Sequence, residues 1–339
     1  MLALQLAGVV WSAEAEDVLN EGLNLHDAGK LKEAISYYDR AIRLNPRFAE
    51  AYYNRGNAYY DLGRYQQAIN DYTQVLRIDP DDAEAYYNRG NAYRRLAQHE
   101  RALRDYTAAI HLHPEDAEIY VNRGSVYYSL GRYELALRDY NEAIRLNPKD
   151  PEAYYNRANT YVRMGKKEEA IENYNKTLSL NTQLVEAYYN RGFAYAESGE
   201  YEKSVQDYSQ YLSFNPKSAE AYYNRGLARI RIGQDEAAIE DYSEAIRLNP
   251  KDAEAMYNRG LAYSRLGRYE HAARDYTDVI RLKPRNAEAY GRRGLVRLQQ
   301  GRDAEAEADF KKAYQLDGKL KNKLEPLINE AKKKPRLTP

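Results

Sequence analysis

The chain of 339 residues contains no cysteine. Disulfides, thiolate nucleophiles and cysteine-ligated zinc are therefore excluded, while the redox compartment stays open. It lacks net charge: 51 Lys and Arg stand against 51 Asp and Glu, a formal net charge of +0. A protein built to coat nucleic acid carries a basic excess, and no global excess exists here. No apolar run approaches the ~20 residues needed to span a bilayer. Histidine is scarce, with five residues. Only His111 and His113 stand close together, and residues two apart on a helix point to different sides. There is no glycine-rich phosphate loop and no Gly-x-Ser-x-Gly turn. Acidic residues abound but are dispersed. The sequence offers no catalytic constellation, no cofactor site and no metal site.

Phe and Trp are nearly absent, at 4 and 1, whereas Tyr reaches 36. Much of that tyrosine lies in one recurring stretch. Tyr-Tyr-Asn-Arg stands at 52–55, 86–89, 154–157, 188–191 and 222–225. Tyr120-Val121-Asn122-Arg123, Met256-Tyr257-Asn258-Arg259 and Tyr290-Gly291-Arg292-Arg293 keep the same 34-residue phase. A fixed period of this size predicts a stacked array rather than a single closed core. In phase, the repeats run 15–48, 49–82, 83–116, 117–150, 151–184, 185–218, 219–252, 253–286 and 287–320. Charged residues are 30% of the chain and mean hydropathy is −0.87, which fits a large exposed surface.

Within a repeat, two apolar patterns of helical spacing flank a glycine. In 49–82, Tyr52, Arg55, Gly56 and Tyr59 share one helix face, and Gly63 is placed to end that helix. Tyr65, Ala68, Ile69, Tyr72, Val75 and Leu76 trace a second helix, which Pro80 stops; Asp82 can cap the next one. Small residues such as Gly56 and Ala68 leave room for close backbone approach, with Ser204 the exception in its column. A helix pair exposes an apolar flank until the next pair covers it, so the repeats must stack.

A unit reading A-E-A-Y-Y-N-R-G-N-A-Y-Y-x-L-G-R-Y-x-x-A-I-x-D-Y resembles the tetratricopeptide repeat (TPR) over residues 15–320, in nine in-phase copies. The resemblance implies an all-α, right-handed superhelical solenoid of nine antiparallel helix-turn-helix units. The first helices would line a concave groove that binds protein segments. The chain departs from the family in one column. The usual Leu after Tyr-Asn is Arg in eight of the nine repeats.

That Arg column has a partner column 16 residues later: Arg55 with Asp71, Arg89 with Asp105, Arg123 with Asp139, Arg191 with Asp207, Arg225 with Asp241, and Arg259 with Asp275. In an antiparallel hairpin these positions stand roughly level. A ladder of structural ion pairs is expected, the alternative being arginines that bind an anionic ligand. Repeat one has neither partner, and Asn173 stands in the Asp column of repeat five.

The family groove is lined by the fifth, ninth, twelfth and thirteenth positions. Carried over, these are Tyr53, Asn57, Tyr60 and Asp61 in repeat two, then Tyr87, Asn91, Arg94 and Arg95 in repeat three. Repeat four gives Val121, Ser125, Tyr128 and Ser129; repeat five gives Tyr155, Asn159, Val162 and Arg163. Tyr189, Phe193, Ala196 and Glu197 follow, then Tyr223, Leu227, Ile230 and Arg231, then Tyr257, Leu261, Ser264 and Arg265. The N-terminal half offers Tyr and Asn, which can hydrogen-bond a peptide backbone. The C-terminal half is apolar, with Arg231 and Arg265 beside it. The competing reading is that each fifth-position Tyr packs between helices. Family members that clamp acidic chaperone tails carry Lys at the fifth position. Here that position is Tyr, Leu, Val or Gly, and the second position is always Glu, which disfavours chaperone C-terminal tails. The Glu column itself suits the first turn of a helix, where a carboxylate offsets the dipole.

Three segments break the pattern. Residues 2–11, LALQLAGVVW, precede Ser12-Ala13-Glu14-Ala15. Segment 1–14 therefore reads as a secretory signal lacking its basic start, hence export, or as a helix capping repeat one with Trp11 as anchor in a cytoplasmic protein. Residues 181–214 lack the usual proline and carry Val185, Phe193, Ser204 and Tyr211, which points to local repacking with a kink or ligand-facing pocket near repeat six, the alternative being neutral variation. Segment 321–339 is expected to form a capping helix with Leu324, Leu327, Ile328 and Ala331 on one face and Pro326 in its first turn, then a basic tail. The expected function is a non-catalytic scaffold that binds an extended or helical protein segment. A self-associating structural array is the alternative, with nucleic-acid binding or an accessory enzyme subunit further behind.

Overall fold

A computed structural model describes the backbone of residues 2–333 and the side chains of residues 13–333. Among these residues there are 19 helices and no strand. One compact unit, residues 1–166, begins with α1 (Leu2–Asp27) and α2 (Leu31–Leu44). It continues through α3 (Ala49–Asp61), α4 (Tyr65–Ile78), α5 (Ala83–Arg95), α6 (His99–Leu112), α7 (Ala117–Ser129), α8 (Tyr133–Leu146) and α9 (Pro151–Arg163). A second compact unit, residues 167–339, holds α10 (Lys167–Leu180), α11 (Val185–Glu197), α12 (Tyr201–Phe214), α13 (Ala219–Arg231) and α14 (Asp235–Leu248). It ends with α15 (Ala253–Arg265), α16 (Tyr269–Leu282), α17 (Ala287–Gln299), α18 (Asp303–Leu316) and α19 (Leu320–Lys333). Within each unit, consecutive helices pack against one another as stacked pairs.

Local chemistry explains the boundaries. First helices start where Asp82, Asp116, Asp150, Ser218, Asp252 or Asn286 accepts a backbone N–H of the opening turn. They stop at a residue in the left-handed region, such as Gly63 at φ +72°. There Arg64 N–H donates to the Tyr59 carbonyl at 2.7 Å. Repeat three has Ala97 at this position, at φ +55°, a conformation that strains a side chain carrying a Cβ.

Most pairs are held by a tyrosine lying under a glycine, with Phe310 under Gly294 in repeat nine and Ala158 at the glycine position of repeat five. A Cβ on Gly56 would sit 2.8 Å from Tyr72 Cε1, and one on Gly226 2.8 Å from Tyr242 Cε1. Tyr38, Tyr72, Tyr106, Tyr140, Tyr208, Tyr242 and Tyr276 are all fully buried second-helix residues. Tyrosine thus does the core work that Phe and Leu do elsewhere, which explains the composition.

The ends differ from the sequence expectation in detail. α1 is one unbroken helix of 26 residues, so the apolar stretch and the first helix of repeat one share a backbone element. The Trp11 side chain and the basic tail from residue 334 lie outside the described residues. α19 starts at Leu320, which puts Pro326 in the helix interior rather than its first turn. Burial of both Leu320 and Leu324 against Leu298 and Phe310 sets that earlier start. The cost is one missing donor for the Asn322 carbonyl. Leu327, expected on the packed face, is 37% exposed. Gly291 makes the docking possible: a Cβ there would lie 2.7 Å from Leu324 Cδ1.

Candidate functional site

In repeats two to four and six to nine the first helix places its seventh-position arginine against its own second helix. Arg123 Nε and Nη2 both donate to the Asp139 carboxylate at 2.8 Å. Arg55–Asp71, Arg89–Asp105, Arg191–Asp207, Arg225–Asp241, Arg259–Asp275 and Arg293–Asp309 repeat this fork. The remaining nitrogen, Nη1, reaches the preceding repeat. It donates to Thr73 from Arg89, to Thr107 from Arg123, to Ser209 from Arg225 and to Ser243 from Arg259, at 2.9–3.1 Å. Arg55 instead reaches Asp39, so repeat one joins the ladder through its second helix. Burial raises the Asp71, Asp105 and Asp139 carboxyl groups above their ordinary value, and the two guanidinium bonds oppose that shift. Each Arg of these forks is a fastener that engages neighbouring helices of the protein through its guanidinium nitrogens, as Arg123 does with all three.

The fifth-position tyrosines are also engaged between repeats. Tyr53 Oη donates to Glu84 at 3.0 Å and accepts from Asn88 Nδ2 at 2.8 Å. Tyr87 does the same with Glu118, at 2.6 Å, and Asn122, at 2.7 Å. Asn224 donates to Tyr189 at 2.9 Å, and Asn258 to Tyr223 at 3.0 Å. Burial first, then the Glu84 carboxylate, pushes the Tyr53 hydroxyl up to about 12. The second-position Glu thus has a partner beyond the helix dipole. Partners 31 and 35 residues away lie across the seam between repeats, and their spacing in the sequence gave no sign of contact. Tyr155 and Tyr257 are half-buried at the same position.

The ninth position divides the chain. Tyr72 Oη donates to Asn57 and Tyr106 Oη to Asn91, both at 2.7 Å, and Tyr140 faces Ser125 at 3.4 Å. In the C-terminal unit Leu227 and Leu261 replace the acceptor. The buried Tyr242 and Tyr276 hydroxyls then have no hydrogen-bond partner among the described residues. An unpaired buried hydroxyl costs about 1–3 kcal/mol. Phe193, at this position in α11, is 43% exposed and Leu227 is 37% exposed.

The remaining groove candidates lie on the same helix faces. Tyr60 packs on Tyr65 with ring centroids 5.2 Å apart, and Tyr128 on Tyr133 at 5.8 Å. Arg95 is exposed over the Tyr65 ring, and half-buried Arg94 precedes it on α5. Exposed Arg163 donates to Tyr133 Oη at 3.3 Å; Asn159 is half-buried. Arg231 is exposed, and Arg265 Nε lies 3.3 Å from Asp235. Among the described residues no three His, Asp or Glu side chains cluster as metal ligands, and no helix is long and apolar enough to cross a membrane.

A family model described as "TPR repeat" matches residues 22–63, 56–97, 90–131, 124–165, 158–199, 194–233 and 230–267, and a "Tetratricopeptide repeat" model matches 257–320. The chain belongs to the tetratricopeptide repeat family. TPR proteins are generally non-catalytic scaffolds for protein–protein interaction. Solved TPR structures share the fold. YrrB, described as a TPR protein with an unusual peptide-binding site, aligns with TM-score 0.52 and 24% identity over 54% of this chain and 95% of its own. A TPR protein of Parabacteroides merdae gives TM-score 0.52 and 24% identity, covering 73% and 98%. The C-terminal part of a TPR protein of Cytophaga hutchinsonii gives TM-score 0.60 and 19% identity, covering 71% and 98%. No curated protein sequence matches the chain.

Proposed function

We propose that this TPR protein is a non-catalytic scaffold that holds an extended or helical segment of a partner protein against its first helices. Residues 15–320 form the binding array, α19 covers its C-terminal end, and 1–14 is a signal-like or capping segment. The observation that carries this reading is the exposure of Phe193 and Leu227 at the same position of successive first helices; the other exposed Phe, Phe214, ends a second helix and lies outside that row. The arginine ladder takes a structural role, because each guanidinium is already forked onto a buried carboxylate of its own repeat. The fifth-position tyrosines contribute ring surface to the groove, with hydroxyls engaged between repeats.

The test compares partners retained by immobilised wild-type chain and by two groove variants, Phe193→Glu and Arg95→Glu. Glu142→Lys, on a second helix, is the control, and each retained protein is then assayed pure for direct binding. Loss in a groove variant with retention by the control supports the reading. A partner kept by both groove variants, or lost equally by the control, overturns it.

A further inference from the structure

The ninth-position row of the C-terminal unit is apolar throughout: Phe193, Leu227, Leu261 and Leu295, on α11, α13, α15 and α17. The row is maintained against a local preference for a polar residue. Repeats two and three put Asn there, and that Asn accepts the buried second-helix tyrosine. Repeats seven and eight give up the acceptor and leave Tyr242 and Tyr276 unpaired. Leu261 packs against the Ala272, Tyr276 and Val296 cluster and Leu295 against that of Phe310 and Leu324, whereas Phe193 and Leu227 stay exposed. An acceptor given up at exposed Leu227 marks a place selected for something other than stability.

Charge and spacing define what fits. One turn beyond the row, Arg231 is exposed and makes no ion pair among the described residues, and exposed Arg265 has only Asp235 at 3.3 Å. On the opposite edge the carboxylates are already engaged, Glu220 by Tyr189 and Glu254 by Lys283 at 2.8 Å. The edge one turn beyond the row is therefore positive, led by Arg231, while Glu220, whose Tyr189 partner is neutral, keeps the opposite edge acidic. Stacked helices recur about every 10 Å. Seven residues of α-helix rise about 10.5 Å, so a heptad-spaced apolar stripe meets one ninth-position side chain per repeat. An extended strand advances about 10 Å in three residues, which turns alternate contacts to opposite faces. The spacing selects a helix.

We infer that the 167–339 unit carries a site for an amphipathic α-helix of a partner protein. The helix would lay a heptad-spaced apolar stripe on Phe193, Leu227, Leu261 and Leu295, with an acidic flank toward Arg231 and Arg265. The inference rests on the groove reading above and narrows it to one unit, one ligand conformation and one charge. Four repeats correspond to a segment of about 20 residues.

The probes are two labelled synthetic peptides of about 20 residues. They share a Leu heptad stripe, and one flank is Glu in the first and Lys in the second. Fluorescence anisotropy with the full chain is expected to show the Glu peptide binding at least about tenfold tighter than the Lys peptide. Arg231→Glu with Arg265→Glu should reverse that order. The decisive variant is Leu227→Asn with Leu261→Asn, which restores acceptors for Tyr242 and Tyr276. It should raise Tm by about 2–4 °C while weakening the Glu peptide about tenfold or more. Unchanged affinity in that variant, a fall in its Tm, or equal binding of the two peptides overturns the inference. So does a wild-type dimer that the variant abolishes, since the row would then meet a second copy. If only Arg95→Glu weakens binding, the groove reading stands and this inference fails; if neither set matters, both fail.

Discussion

Seven of the nine repeats carry the guanidinium–carboxylate fork, and residue-level chemistry shows how tightly it holds. Arg123 gives two nitrogens to Asp139 and one to Thr107, and its plane lies beside the rings of Tyr120 and Tyr127. Asp139 is 7% exposed, so removing it strands a half-buried cation between three helices. Asp139→Ala should lose up to about 3–5 kcal/mol. Glu142→Ala, which breaks only the surface pair with Arg145, should lose less than about 1 kcal/mol. Thermal or urea unfolding of the two variants measures the difference, and equal losses would show that the ladder does not carry stability. A spacing of 16 residues could be read from the sequence because both partners sit in one hairpin, whose turn glycine fixes the register. The bonds from Tyr53 to Glu84 and from Asn88 to Tyr53 could not. They depend on how one repeat is set against the next, and no local periodicity encodes that. The vacated acceptor at Leu227 was visible only as a change from Asn to Leu; its meaning required the position of the Tyr242 hydroxyl.

At the scale of helices, the repeats that look alike in sequence are not packed alike. In repeat four a Cβ on Gly124 would meet Tyr140 Cε1 at 2.8 Å, whereas in repeat six a Cβ on Gly192 would meet nothing nearer than Asp207 Cβ at 3.3 Å. α11 and α12 therefore approach less closely at this crossing, where Ser204 replaces Ala and Tyr211 packs at a tilt against Tyr189 with centroids 5.1 Å apart. The helices keep their lengths, 13 and 14 residues, so the substitutions act on packing and not on helix formation. Two alanine variants separate these environments. Gly192→Ala gains helix propensity of about 1 kcal/mol with little displacement and should be neutral or stabilising. Gly124→Ala gains the same propensity but must move a buried ring, at about 1–3 kcal/mol, and should be the less stable of the two by about 1 kcal/mol or more. Calorimetry of the pair decides it, and equal melting temperatures would mean that repeat six is packed as tightly as repeat four. The irregularity was visible in the sequence as a cluster of bulky changes. The looser crossing was not, because Gly192 is itself unchanged.

Over the whole molecule, building a core from tyrosine makes stability dependent on keeping phenols protonated. Burial raises the Tyr38 and Tyr140 hydroxyls to about 12 from an ordinary value near 10, and raises Tyr72, Tyr106, Tyr208, Tyr242 and Tyr276 further. In the unfolded chain the same groups ionise near pH 10. Above that pH the unfolded state binds fewer protons than the folded state, so stability falls as pH rises. It is fully present below about pH 10 and is lost toward the folded-state values at about 12 and above. Each such tyrosine contributes about 1.4 kcal/mol per pH unit. Seven of them reach on the order of 10 kcal/mol near pH 11, comparable with the whole stability of an ordinary domain. The chain should therefore unfold in a steep transition between about pH 10 and 12. Helicity by circular dichroism and tyrosinate absorbance, followed in one titration, provide the check. Exposed tyrosines should ionise first with helicity intact, and the buried set should ionise together as the helices melt. A smooth ionisation of all tyrosines near pH 10 with full helicity would show that these rings do not hold the repeats together. Replacing Tyr72 and Tyr106 by Phe should move the transition to higher pH, since two proton-linked groups leave the core while the Asn57 and Asn91 amides lose a donor but stay at the groove surface.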